Sequence, residues 1–115
     1  MEISQRIDGA TMIVSVSGRL DGNTASQLEE ALAGPDIRAH GALIMDLARL
    51  DYVSSAGLRV MLKTAKASRA AKRKLVLAAV QPAVQDVFDI SGFTALFVIV
   101  DTIEQAKVSL NESFT

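Results

Sequence analysis

The sequence predicts an α/β fold: a mixed, mainly parallel β-sheet packed with about four helices, in the order β-β-α-β-α-β-α-β-α. Three observations carry this expectation. The unbroken apolar runs Ala42-Leu43-Ile44-Met45 and Leu75 to Val80 suit strands buried on both faces, as parallel strands covered by helices are. Segments with helical spacing follow each run, so strand and helix alternate and right-handed crossovers follow. A length of 115 residues fits one domain, 1–115, and no linker, repeat or low-complexity stretch divides it.

The elements follow in order. Ile3 to Ile7 reads as a first strand, with Asp8-Gly9 as its turn. Met12, Val14 and Val16 alternate with Ile13, Ser15 and Ser17, which predicts a second strand with one face buried and one partly polar. Its short connection to the first implies an antiparallel pair at one side of the sheet. Thr24 and Gln27 have capping-box spacing before the helical stripe Leu28, Ala31, Leu32, which Gly34-Pro35 ends. Ala42 to Met45 forms the next strand, with Asp46 expected at its carboxyl end. Leu58, Met61, Leu62 and Ala65 give a helix to about Ala70. After Leu75 to Val80, Pro82 suits a first helical turn, Val84, Val87 and Phe88 mark an inner face, and Gly92 suits the C-terminal cap. Leu96 to Val100 reads as the last strand. Asp101 and Glu104 have the spacing of a second capping box, before the stripe Ile103, Ala106, Leu110.

Composition excludes several function classes. Twelve basic and thirteen acidic residues leave a net charge of -1, which argues against a nucleic-acid binder driven by bulk electrostatics. With no cysteine there is no thiolate metal site or thiol nucleophile, and His40 is the single histidine, so no metal site is expected. No apolar run approaches the ~20 residues of a membrane span, and the first residues, Met-Glu-Ile-Ser-Gln-Arg, have no signal-peptide core, so a cytoplasmic protein is expected. Ser54 and Ser55 lack the Gly-x-Ser-x-Gly frame of a hydrolase, and there is no phosphate-binding loop and no evident carboxylate pair. No catalytic residue and no cofactor are therefore assigned.

The most informative stretch is Asp51 to Leu58, where two serines precede a helix after a buried strand. Capping is one reading, since a serine hydroxyl accepts from the orphan N–H groups of a helix start. A modification site is the other. Phosphate there would add a charge of about -1.5 to -2 near the positive end of the helix dipole, which the domain tolerates and a docked partner does not. Asp21 with Gly22 reads as turn chemistry. Asp46 reads best as a carboxylate receiving loop N–H bonds. Lys63, Lys66, Arg69, Lys72, Arg73 and Lys74 read as a solvated face or as a patch for an acidic partner, and His40 as loop surface.

The segment Tyr52-Val53-Ser54-Ser55-Ala56-Gly57-Leu58-Arg59, preceded by Ile44-Met45-Asp46-Leu47, resembles the signature of STAS-domain proteins, most of all the bacterial anti-sigma factor antagonists. Gly18-Arg19-Leu20-Asp21 is similar to that family's segment at the end of the second strand. The resemblance covers nearly the whole chain. It implies a module whose unphosphorylated form binds an anti-sigma factor serine kinase and releases the sigma factor. Phosphorylation switches binding off, and a serine phosphatase restores it. By the same resemblance the acceptor falls on Ser55, with Ser54 as competitor, and Asp21, Ser54, Ser55, Ala56, Gly57 and Leu58 form the partner-binding surface. There Asp21 lies near Ser55 as a partner contact or an acidic neighbour of the acceptor, a reading that stands level with its turn chemistry. Ser54 stands where the family usually has aspartate, and Ala56 where it has a second hydroxyl. STAS-like domains also serve as constitutive scaffold subunits of lipid-transport ATPase complexes and stress-signalling assemblies. A small-ligand sensor with a pocket at the carboxyl ends of the strands is the remaining alternative. The sequence leaves the oligomeric state open.

Overall fold

The structure is a computed structural model that describes residues 1–112, with side chains described through Leu110. One five-stranded sheet has the order β1-β2-β3-β4-β5: Glu2–Asp8, Thr11–Leu20, Ala42–Val53, Lys74–Ala78 and Val98–Val100. β1 runs antiparallel to β2, and the remaining neighbours are parallel. The helices are α1 (Ala25–Leu32), α2 (Pro35–Arg38), α3 (Ser55–Ala70), α4 (Pro82–Ser91) and α5 (Ile103–Glu112). The predicted order holds, with the one-turn α2 inserted where Gly34-Pro35 ends α1. Pro35 sits in the first turn of α2, where it lacks only a donor that would have no partner.

The alternation in β2 sorts the core into two layers. Met12, Val14 and Val16 join Leu43, Met45 and Leu77 beneath α1, α3 and α4, through Leu28, Leu58, Met61, Val84 and Phe88. On the opposite face Ile13, Ala42, Ile44, Val76 and Ala78 pack against Ala106 and Leu110 of α5. A single helix covers only part of that second face. Accordingly Ser15 and Ser17, farther along β2, stay half-buried, as the partly polar alternation predicts.

Several boundaries differ from the sequence expectation. β3 continues seven residues past Asp46, so that carboxylate lies within the strand and not at its end. The reason is local irregularity. Ser15 and Ser17 of β2 oppose Asp46 and Arg49, and Gly18 and Arg19 oppose Leu50 and Tyr52, so β3 carries an extra residue at each of two bulges. Asp46 stabilises the first: its Oδ1 accepts from the Ala48 N–H at 3.1 Å, and its Oδ2 from the Ser15 hydroxyl at 3.1 Å. The expected N–H bond is there, but it serves a bulge and not a loop.

The Thr24–Gln27 capping box does not form. Thr24 Oγ1 instead accepts from the Asp21 N–H at 2.9 Å and donates to the Arg19 carbonyl at 2.8 Å, while Gln27 reaches the Met1 carbonyl. At α5 the cap is one residue later than expected. Thr102 Oγ1 accepts from the Gln105 N–H, and Gln105 Oε1 from the Asp101 N–H. β5 starts at Val98, because Phe93–Leu96 forms a 3-10 turn after Gly92, whose φ of 78° closes α4 as its sequence position predicted. His40 Nδ1–H donates to the Asp36 carbonyl, which ties the loop after α2.

Candidate functional site

The two bulges lengthen β3 so that Leu20 and Val53 end their strands side by side. The chain is locked there: the Ser54 N–H donates to the Leu20 carbonyl at 2.8 Å. α3 begins at once. Ser54 is its N-cap, with extended backbone, and its Oγ accepts from the Gly57 N–H at 3.3 Å. The Leu58 N–H closes the first helical turn on the Ser54 carbonyl at 2.9 Å.

The two serines differ in exposure and in hydrogen bonding. Ser54 is half-buried and committed to capping. Ser55, the first residue of α3, is exposed, and its hydroxyl has no hydrogen-bond partner among the described residues. It stands at the helix start, where backbone N–H groups and the dipole favour an added anion. Arg59, one turn along α3 and also exposed, adds a cation on the same side.

Ala56, Gly57 and Leu58 have mostly inward roles. Ala56 is half-buried against the core, and Leu58 is buried in it. Gly57 is buried where the helix meets the sheet: a Cβ there would lie 2.6 Å from Leu20 Cγ and 3.0 Å from Val53 Cγ2. Only a glycine lets α3 start this close to the ends of β2 and β3.

Asp21 follows Leu20 directly, so the topology sets it beside the start of α3. Of its sequence readings, turn chemistry is the one its bonds show. Its Oδ1 accepts from the Asn23 N–H at 2.9 Å, which is turn chemistry. Its Oδ2 lies 3.9 Å from Arg19 Nε, a loose and partly exposed pair. Arg19 in turn stacks over the exposed Tyr52 ring, 4.1 Å from guanidinium carbon to ring centroid. Sequence reasoning quoted Arg19 and Tyr52 inside the motifs but gave neither a role. Their cross-strand pairing depends on the second bulge, and the one usable signal was an aromatic residue at the polar end of a strand.

The exposed rim is therefore Arg19, Asp21, Tyr52 and Ser55, mixed in charge and built on two strand ends and one helix start. An open groove of about 640 Å³ lies elsewhere, on the part of the sheet that α5 leaves uncovered, lined by Ser4, Ser15, Ser17, Asp46 and Arg49 among others. Those five residues lie on the sheet face opposite α3, and the groove reaches Val16 of β2 and Gln27 of α1 as well. Among the described residues no cluster of histidine and carboxylates could hold a metal, and no helix is long and apolar enough to cross a membrane.

The comparisons with known proteins agree with this fold. The chain is 42% identical over 104 residues to BtrV of Bordetella bronchiseptica, named as a candidate anti-sigma factor antagonist, covering 90% of this chain and 89% of that one. The structure of the anti-sigma factor antagonist SpoIIAA in its unphosphorylated form superposes with a TM-score of 0.80, covering 96% of this chain and 97% of that one at 20% identity. SpoIIAA of Bacillus in its phosphorylated form superposes with a TM-score of 0.72 at 20% identity, covering 95% and 99%. At that identity the two structures speak to the fold. The model of the STAS domain matches residues 2–106, and the chain belongs to the STAS-domain family.

Proposed function

We propose that this protein is an anti-sigma factor antagonist, a binding module and not an enzyme, that docks its partner on the rim around the start of α3. The partner is an anti-sigma factor with serine kinase activity. Arg19, Asp21, Tyr52 and Ser55 form the outer part of that surface, the half-buried Ser54 and Ala56 border it, and the buried Gly57 and Leu58 support it from beneath. Phosphorylation of Ser55 switches the interaction off, and a serine phosphatase reverses it. The 42% identical relative is named as an anti-sigma factor antagonist, and SpoIIAA has been solved with and without phosphate.

The observation that carries the choice of acceptor is the division of labour between the serines. The Ser54 hydroxyl holds the helix cap, so modifying it would break the start of α3. The Ser55 hydroxyl is exposed and bonded to nothing among the described residues. In the transfer, Ser55 Oγ forms a bond to the γ-phosphorus of ATP, the bridging P–O bond breaks with its electron pair going to ADP, and the hydroxyl proton passes to a base of the kinase or to solvent. The product sits at a helix N-terminus near Arg59, so the module keeps its fold. A partner seated on the rim must instead desolvate a dianion, which opposes docking.

The test is incubation with the cognate anti-sigma factor kinase and ATP, peptide mapping by mass spectrometry, and calorimetric titration of each form. Phosphate on Ser55, with affinity reduced about a hundredfold or more, is the expected result. Ser55→Ala should bind like the parent and resist switching. Phosphate on Ser54, no phosphate at all, or equal affinity of the two forms overturns the assignment.

A further inference from the structure

The sheet has two edges, and their chemistry differs. β1 presents Glu2, Arg6 and Asp8 on an almost wholly exposed strand, the charged dressing that discourages edge-to-edge pairing. β5 is Val98-Ile99-Val100, with no charge, and its outer side pairs with no strand among the described residues. Val98 is 50% exposed and Leu96, just before it, 44%, so the undefended edge is also apolar.

Charge is placed at the two ends of this edge. At its start a cleft between α3 and the chain entering β5 is lined by Arg69, Arg73, Leu96, Phe97 and Val98. Neither arginine has an ion-pair partner among the described residues. At its end Asp101 is exposed, and its carboxylate likewise has no such partner. Phe97 and Ile99 turn to the face that carries α3, and Val100 to the face that carries α5.

We propose that the free edge of β5 docks a second copy of this chain, the two β5 strands pairing antiparallel about a two-fold axis at Ile99. In that register Val98 of each copy faces Val100 of the other, and Asp101 faces Phe97. By the alternation of side chains Asp101 then projects on the α3 side, toward the Arg69–Arg73 cleft. Cations stand beside the start of the strand and an anion follows its end, so antiparallel pairing joins unlike charges at both ends. Parallel pairing would set like against like. A self-complementary strand of this kind is what a two-fold interface requires. The paired segment is short, so association is weak and depends on concentration. β4 stands between this edge and the Ser55 rim at the ends of β2 and β3, so a dimer leaves that rim open.

Sedimentation velocity of the full chain over a concentration series tests the proposal. The parent should pass from monomer to dimer as concentration rises. Val98→Lys and Asp101→Arg should each raise the dimer dissociation constant about tenfold or more, because symmetry removes the contact twice. Combining Asp101→Arg with Arg69→Asp and Arg73→Asp should recover dimerisation. Thermal melts check that each variant folds. If Val98→Lys does not, the exposed Asp101→Arg decides alone. A parent that stays monomeric at every concentration overturns the proposal, whether or not the edge captures an acidic segment of another protein. So does a dimer that Asp101→Arg leaves unchanged.

Discussion

Gly57→Ala probes the junction on which the candidate site is built. The new methyl would meet Leu20 Cγ at 2.6 Å, Leu20 Cδ2 at 2.9 Å and Val53 Cγ2 at 3.0 Å. Cγ is the branch carbon of a leucine with no exposed surface, so it cannot swing aside. Overpacking of this kind costs about 1–3 kcal/mol, and the depth of the contact argues for the upper end. Replacing glycine by alanine in a helix returns at most about 1 kcal/mol. The net expectation is a loss of about 2 kcal/mol. In a domain of this size that lowers Tm by roughly 6–12 °C, and it lowers the urea midpoint without changing the slope. The site should suffer too, because the Gly57 N–H is the group that Ser54 caps. In a Leu20→Ala background the same substitution should be neutral or stabilising, since the methyl then enters a cavity. Stabilisation by Gly57→Ala in the parent, or an equal loss in both backgrounds, would refute the claim that only a glycine fits here.

Other expectations follow from single groups. Ser54→Ala should cost about 1 kcal/mol by urea titration, because it removes the cap of α3, whereas Ser55→Ala should leave stability within about 0.5 kcal/mol. Ser68 is 2% exposed and its hydroxyl has no hydrogen-bond partner among the described residues, so Ser68→Ala should raise stability by about 1 kcal/mol. Lys107 donates to Asp8 at 2.8 Å. That hydrogen bond, helped by the charge of Lys107, holds the Asp8 carboxyl below its ordinary 3.8, and the same bond holds Lys107 above its ordinary 10.5. The pair thus contributes fully between 3.8 and 10.5 and fades as acid titrates Asp8 below that window or alkali titrates Lys107 above it. Melting curves of Lys107→Met against the parent should differ most inside the window and converge at low pH. The effect is small, because both groups are exposed to solvent screening.

Much of the architecture was legible from local pattern. The apolar runs at 42–45 and 75–80 announced strands covered on both faces, although the second strand stops at Ala78, where Ala79 turns to a φ of 61°, and the alternation in 12–17 announced one face left partly polar. Pro35, Pro82 and Gly92 marked helix boundaries, because their backbone limits act within one turn. The Ser54-Ser55 pair before a helix was visible as a capping or modification signal. What escaped was whatever depends on contact between distant segments. The bulges of β3 are set by its register against β2, so the true end of that strand, the role of Asp46 and the meeting of Arg19 with Tyr52 could not be read from spacing. Thr24 left its capping box because the Arg19 carbonyl and the Asp21 N–H were within reach only after β2 had turned into α1. The chain alone determined which segments would be strand or helix, since that choice rests on periodicity and backbone freedom. Only the tertiary structure decided which of two adjacent hydroxyls is spent on the helix and which faces solvent, because that depends on how closely α3 is drawn against Leu20 and Val53.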